Sequence, residues 1–324
     1  MVAALVRKEL ADHFGAARLA LVTALIFMVA LIGAFLAGEG VKNMLAQGAG
    51  ADLEGRAFLT LFSASAAGLP IFSLLALLGP VWALMLGFDA VNRERAQGTL
   101  SKLLSQPLSR FDLLLGKYLA GLLVVALMSG ALFLVISGLG LAAIGLVPGG
   151  EEVLRLTVFW LASVVYLGFW LAAALLMSVL FKSAAVSALA CGALWFFLAF
   201  AVTLMAGGAA AVLAPSADPF QPVRAEVLAN EEMFRRLSLA SPVNVYDEAA
   251  AFLLDPGRRS LSFSRQRLDR AVSHRYTGRF SGPLPFSQSF ILLLPHLAGL
   301  LAWTALVFSL AALAFDRQEI RSGV

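Results

Sequence analysis

Leu156 to Met205 is fifty residues long and carries one charge, Lys182. As a single helix it would extend about 75 Å, far beyond the roughly 30 Å hydrocarbon core of a bilayer. The chain must therefore turn back, and Phe181–Lys182–Ser183 is the natural place. Two spans result, at 156–180 and 184–206.

The same reading yields four more spans. Leu19 to Ala37 is uncharged and long enough to cross. Ala57 to Phe88 is uncharged over 32 residues, which predicts a span at 69–88 preceded by a re-entrant or surface helix. Gly79–Pro80 lies inside that span and should bend or loosen it, because proline removes a backbone donor. Tyr118 to Leu141 follows, then a tight turn at 147–152, and Gln288 to Phe315 is the last span. The apolar runs are continuous, whereas barrel strands would alternate over about ten residues. The expected fold is an all-α polytopic membrane protein with six transmembrane helices. Only 14% of the residues are charged, against about 25% in soluble domains, and mean hydropathy is +0.87.

Residues 2–14 place Val2, Leu5, Val6 and Leu10 on one helical face, with Arg7, Lys8 and Asp12 elsewhere. This reads as an interfacial helix, the alternative being a polar leader to the first span. No small-residue cleavage site follows a short apolar core, so the first apolar stretch reads as a retained span rather than a signal peptide.

Basic residues set the orientation. With the N-terminus inside, the inner segments hold eleven Lys and Arg, while the two short outer connectors hold three, Lys42, Arg56 and Arg155. This is the positive-inside pattern. It makes both termini cytoplasmic and places 207–287, with its ten Arg, outside; long loops translocate largely regardless of charge. The organisation is then a membrane domain at 1–206 with an inner loop at 89–117, a large helical extracytoplasmic loop at 207–287 between spans 5 and 6, and span 6 with a tail at 288–324. The sequence pI near 9.5 reflects this topology rather than a nucleic-acid surface.

Catalytic and metal patterns are lacking in the sequence. His13, His274 and His296 lie far apart, Cys191 is the single cysteine, and no Ser/His/Asp grouping or H-E-x-x-H occurs. His296 in span 6 either lines a pathway or bonds a neighbouring helix carbonyl. Pro80 is the hinge candidate of span 2. Gly116/Ala120 and Ala188/Gly192 permit close helix contacts.

The inner loop carries Arg93, Arg95, Lys102, Arg110 and Lys117 against Asp89, Glu94 and Asp112. Val91, Leu100, Leu103 and Leu104 share a helical face. Gln106–Pro107 breaks that helix, and Ser109 stands three residues before Asp112, the capping pattern of a new helix start. Lys117 is positioned to snorkel to headgroups. Two short helices meeting at a proline give a surface knob; the plain alternative is a solvated loop that only sets topology.

The string Asp89, Asn92–Arg93–Glu94, Gly98–Thr99–Leu100, Leu103–Leu104–Ser105, Pro107, Ser109–Arg110, Leu115–Gly116–Lys117 resembles the inner-loop signature of ABC-2 type transporter permeases. The six spans and interfacial helix match that family as well, so the resemblance covers almost the whole chain. It implies that residues about 90–104 form a coupling helix docking on a separate ATPase subunit, with Arg93, Glu94, Arg95, Gly98, Thr99, Leu100 and Leu103 at or near the contact. It also implies two permease copies with two ATPases in a bacterial cytoplasmic (inner) membrane. ATP and Mg would be bound by the ATPase, since this chain has no G-x-x-x-x-G-K-[ST] loop.

In the outer loop, Ser241–Pro242 is an N-cap followed by proline at the first helical position. Val245, Ala249, Phe252 and Leu253 would form its apolar face, closed by Asp255–Pro256–Gly257. A Ser-Pro ahead of the last span resembles the branch of ABC-2 permeases that includes the nitrous-oxide-reductase maturation permease. Residues 224–239 give another amphipathic helix. Arg258, Arg259, Arg265, Arg267 and Arg270 belong to a run of seven Arg that either forms a solvated arm or meets anionic headgroups, an acidic substrate or a periplasmic or extracellular protein.

Three functions remain open: ATP-driven export, mechanotransmission to an extracytoplasmic partner with no substrate crossing, and a membrane scaffold without ATPase.

Overall fold

Proline at position 80 removes the N–H that would bond the carbonyl of Ala76, four residues earlier in a helix buried among its neighbours. An unpaired carbonyl in a membrane interior is costly. In the computed structural model the Tyr166 hydroxyl, from the helix alongside, donates to that carbonyl at 2.5 Å. The span continues through the proline, and Ile71–Gly87 is one helix. Tyr166→Phe should therefore destabilise the protein by about 1–3 kcal/mol. Pro80→Ala, which restores the donor, should remove most of that cost; thermal melting of the four members of the cycle in detergent measures the non-additivity.

The structure describes residues 2–47, 57–63, 70–100, 109–145, 147–215, 224–255 and 284–318. Regular structure among them is helical: α1 Val2–Phe14, α2 Ala17–Ala46, α3 Ala57–Ser63, α4 Ile71–Gly87, α5 Asn92–Ala96, α6 Arg110–Ile144, α7 Gly150–Leu180, α8 Ala184–Phe196, α9 Val202–Leu213, α10 Arg224–Ser238, α11 Pro242–Leu254 and α12 Phe286–Asp316. Among the described residues six helical stretches are long and apolar enough to cross a membrane: α2, α4 continued through α5 (Ile71–Ala96), α6, α7, the α8–α9 rod and α12; α2, α4, α6, α7, α8–α9 and α12 are taken below as spans 1 to 6. Spans 2 and 4 are central, with 67% and 72% of their most apolar windows buried; spans 1, 5 and 6 are peripheral at 22%, 11% and 17%.

The near face, which carries α1, has its own apolar cluster of Leu5, Val91, Leu100, Leu113, Leu175, Val179 and Phe315. Val91 and Leu100 thus share a face as their spacing predicts, while Leu103, Leu104 and the Pro107 break lie outside the described residues. Ser109 does cap a helix: its Oγ accepts from the Asp112 N–H at 3.0 Å, and Asp112 Oδ2 accepts from the Ser109 N–H at 3.3 Å. That helix is α6 itself, which runs straight into span 3. Among the described residues no break separates this helix start from the span, because no proline interrupts 110–144 and Arg110–Ile144 is one helix.

On the far face, α3 is the short helix expected before span 2, with Phe58, Leu59, Leu61 and Phe62 buried. Glu152 Oε1 accepts from the Phe58 N–H at 2.9 Å, supplying a far-face cap from α7. Span 5 runs to Leu213 rather than ending near 206. Ala209–Ala210–Ala211–Val212–Leu213 is apolar and helix-favouring, so the two glycines at 207–208 do not stop it. A π-helical turn interrupts span 5 at Phe197–Ala201. There the Leu198 carbonyl accepts from the Ser241 hydroxyl at 2.5 Å.

Ser241 also caps α11, accepting from the Val243 N–H at 3.2 Å. Helix α11 is buried on nearly every side, against spans 2, 4 and 6. Tyr246 stacks on Tyr166 with ring centroids 4.3 Å apart and shares a 2.7 Å hydrogen bond with Ser163. Of the small-residue pairs, Gly116 meets α1: a Cβ there would lie 2.5 Å from Leu5 Cδ2. Gly192 faces open space, so Ala188/Gly192 makes no such contact among the described residues.

Candidate functional site

The charged inner loop folds onto the near face through groups on four different helices. Helix α5 starts in a turn after span 2, and no side chain of its own caps it. Ser178, near the end of span 4, does so instead: its Oγ accepts from the N–H groups of Val91 and Asn92 at 2.9 and 3.3 Å. Gly98, at φ 68°, ends the helix in a left-handed conformation that residues with a Cβ rarely adopt. The Thr99 hydroxyl donates to the Glu94 carbonyl at 3.2 Å.

At one side of α5, Arg18 at the start of span 1 makes a two-pronged contact with Asp89, at 2.6 and 3.2 Å, and lies 5.5 Å from the Phe88 ring centroid. Arg93 is 4.0 Å from the same carboxylate and half-exposed. On the inward side Glu94 is buried. Its Oε1 accepts from Lys117 Nζ at 2.8 Å, and the same ammonium donates to Glu9 Oε1 at 3.0 Å. Lys117, in span 3, is 3% exposed. It therefore does not snorkel to headgroups; two carboxylates hold it inside. Lys8 closes the rim, 3.5 Å from Glu9 and 4.0 Å from Glu94.

Helix α1 is turned to make this possible. Its buried stripe is Leu5, Glu9 and His13, spaced four apart, rather than the wholly apolar face of Val2, Leu5, Val6 and Leu10. Burial alone would push the Glu9 carboxyl up, but Lys117, at hydrogen-bond distance, and Lys8 draw it below its ordinary 4.5. Burial holds the His13 imidazole below its ordinary 6.5 against the pull of Glu9, with Lys117, Arg18 and Arg93 acting in the same direction as burial.

Among the residues expected at the docking contact, Glu94 and Leu100 thus face inward, Arg93, Arg95 and Thr99 are half-exposed, and the exposed tip is Ala96–Gln97–Gly98. Leu103 lies outside the described residues, as do Arg258, Arg259, Arg265, Arg267 and Arg270. Pro80 sits at the Tyr166 contact described above. His296 bonds a carbonyl of its own helix, Leu292, through Nδ1 at 3.0 Å, and its Nε2 lies 3.5 Å from Glu248 of α11. Sequence reasoning missed Glu9, Arg18 and Ser178. A carboxylate at i+4 from Leu5 and i−4 from His13 was the one available signal.

A polytopic bundle whose charged loop is seated on an interfacial helix between spans 2 and 3 agrees with the resemblance carried by residues 89–117. The family model described as ABC-2 family transporter protein matches residues 3–320. The chain belongs to the ABC-2 transporter family. It is 39% identical over 110 residues to the "Probable ABC transporter permease protein NosY" of Pseudomonas aeruginosa, covering 34% of this chain and 38% of that protein. It is 33% identical over 154 residues to the protein of the same name from Stutzerimonas stutzeri, covering 48% of each. The chain thus spans less than half the length of the curated relatives it matches. Both relatives fall in the ABC-2 branch that the Ser241–Pro242 resemblance suggested. As an ABC-2 family member the chain is a multi-pass membrane protein, and the near-face junction is its candidate functional site.

Proposed function

We propose that this protein is the membrane-spanning permease subunit of an ABC-2 transporter in a bacterial cytoplasmic membrane, with both termini and the near face in the cytoplasm. A separate ATPase subunit, holding ATP and Mg, docks on α5, and two copies of each chain make the transporter. ATP binding displaces α5, and the bundle responds by changing access for an exported substrate. The observation that carries this reading is the Glu94–Lys117–Glu9 chain. It fixes a five-residue helix rigidly to span 3 and α1, so a push on the exposed tip becomes a push on membrane helices. A loop that only set topology would have no need to bury its charges, which is expensive unless they are paired. In this arrangement Glu94 holds the lever from inside, while Arg93 and the Ala96–Gln97–Gly98 tip meet the ATPase.

Gln97→Trp tests the docking tip. The side chain is exposed, so folding should be unchanged. Co-purification of the ATP-binding subunit under mild detergent should fall about tenfold, which corresponds to about 1.4 kcal/mol. Undiminished co-purification with wild-type ATP turnover would sink the reading.

The burial of α11 favours a second reading, mechanotransmission. Asn244 Nδ2 donates to Thr203 Oγ1 of span 5 at 2.9 Å, and Tyr246 is bonded to Ser163 of span 4, so span movement reaches the far-face segment directly. Loss of an extracytoplasmic binding protein on deleting residues 258–279, without substrate flux in the intact complex, separates this from export.

A further inference from the structure

The end of span 6 meets three other near-face segments through polar groups that the lever described above does not use. Arg110, the first residue of α6, donates from Nη1 to the carbonyls of Phe315, Asp316 and Gln318 at 2.8, 2.8 and 2.7 Å. Its guanidinium lies 6.0 Å from the Phe315 ring centroid. A helix leaves its last carbonyls unpaired, and its dipole favours a cation there. Gln318 uses both ends of its amide. Nε2 donates to the Val179 carbonyl at 2.6 Å, one of the unpaired carbonyls at the end of span 4. Oε1 accepts from Arg95 Nη2. The amide can sit only one way round, because a flip would face donor to donor and acceptor to acceptor. One side chain thus joins α5, span 4 and span 6.

Span 6 is a single 31-residue helix. At its other end Ser289 Oγ accepts from Arg155 at 3.0 Å, and His296 faces Glu248 of α11. It is one continuous helix, with Pro295 in its far half, seated on α5 at one end and packed on α11 at the other. A continuous packed helix can carry coupling between distant sites.

We propose that Gln318 is a positioning residue that seats α5 on the ends of spans 4 and 6, so that displacement of α5 reaches span 6 and, through it, α11. The inference rests on the ATPase-docking reading of α5. Removing the Gln318 amide leaves the Lys117 junction and the Arg110 cap in place. Helix α5 therefore stays folded and able to dock, but loses its hold on span 6. The signature is a split: assembly and ATP turnover persist while movement of span 6 fails.

Spin labels at Ile291→Cys on span 6 and Phe35→Cys on span 1, both exposed side chains, report that movement. They are introduced in a Cys191→Ser background of the intact complex with its ATPase. Pulsed-dipolar distances are compared without nucleotide and with ATP trapped. The expected result is an ATP-dependent distance change in the otherwise wild-type protein that is reduced about fivefold or more in Gln318→Ala, in the range of ordinary allosteric coupling. ATPase co-purification and melting temperature stay unchanged. Arg95→Ala should give the same loss, and the double variant no more than either single one. Gln318→Glu should also fail, since its carboxylate would face the Val179 carbonyl. A full ATP-dependent change in Gln318→Ala overturns the inference and leaves the docking reading standing. No ATP-dependent change in the parent protein also overturns it, and if no ATP-binding subunit co-purifies, the docking reading falls with it.

Discussion

Lys117→Met should cost the folded protein about 3–5 kcal/mol, the usual penalty for removing one partner of a buried ion pair. The methionine has room, so the penalty is electrostatic: Glu9 and Glu94, both under a tenth exposed, would face each other without their shared cation. The first consequence is release of α1, whose buried stripe contains Glu9 and whose Leu5 packs against Gly116. Hydrogen exchange at the α1 amides and detergent melting both read this. The triple variant Glu9→Gln, Glu94→Gln, Lys117→Met should recover most of the loss, because neutral groups of similar shape need no counter-ion. If Lys117→Met alone melts within about 0.5 kcal/mol of wild type, as an ordinary surface change does, the junction is not holding α1.

The same junction predicts a pH dependence. The folded-state pKa of Glu9 lies below its ordinary 4.5, so its contribution is present above 4.5 and is lost as pH falls through the folded value. The folded-state pKa of His13 lies below its ordinary 6.5, because burial favours the neutral ring. Its contribution is likewise present above 6.5 and lost as pH falls through its own lower value. Both signs agree: acidification from pH 6.5 downwards should loosen α1, with His13 acting first. His13→Gln should remove the upper part of that decline.

Arg155→Met should be about as damaging on the far face, at about 3 kcal/mol or more for several charged hydrogen bonds lost together. Arg155 is 1% exposed and makes five hydrogen bonds. Nε and Nη2 share Glu151 Oε1 at 2.9 and 2.7 Å; Nη1 reaches the Leu253 carbonyl and Ser289; Nη2 reaches the Leu284 carbonyl at 2.6 Å. One guanidinium therefore caps the C-terminus of α11 and pins the chain just before span 6. Lysine keeps the charge but has no planar fork to span these acceptors, so Arg155→Lys should rescue little. Limited proteolysis near residues 255–284, together with melting temperature, measures the effect; wild-type resistance in Arg155→Met would refute the role. Counting basic residues placed Arg155 among three outer charges and gave no sign of this, because a topology count weighs charge and ignores partners.

The spans were legible because a bilayer leaves so few choices. Lys182 marks the turn between spans 4 and 5, and Leu156–Leu180 and Ala184 onward form helices where the length argument requires. The Ser241–Pro242 start of α11 and the Ser109–Asp112 cap were legible because capping is local chemistry over three or four residues. The family-like string at 89–117 picked out the charged segment that folds onto the near face. The direction each charge takes there was not legible. Glu94 was expected at the outward contact and Lys117 at the headgroups; they meet inside, because each satisfies the other at separations in sequence that no local pattern records.

The sequence alone determined what must be buried in lipid, how often the chain crosses, where helices begin, and which loop carries charge. Each follows from hydropathy, helix geometry and short-range hydrogen bonding, all of which act within a few residues. Only the tertiary structure decided which charges become struts: Glu9 and Glu94 on Lys117, Asp89 on Arg18, the Leu253 and Leu284 carbonyls on Arg155, and Tyr166 on the carbonyl that Pro80 leaves unpaired. Desolvation makes a lone charge or carbonyl in such a place too costly to keep, so its partner is set by whichever helix packs beside it. That partner is separated in sequence by tens of residues or more in nearly every case.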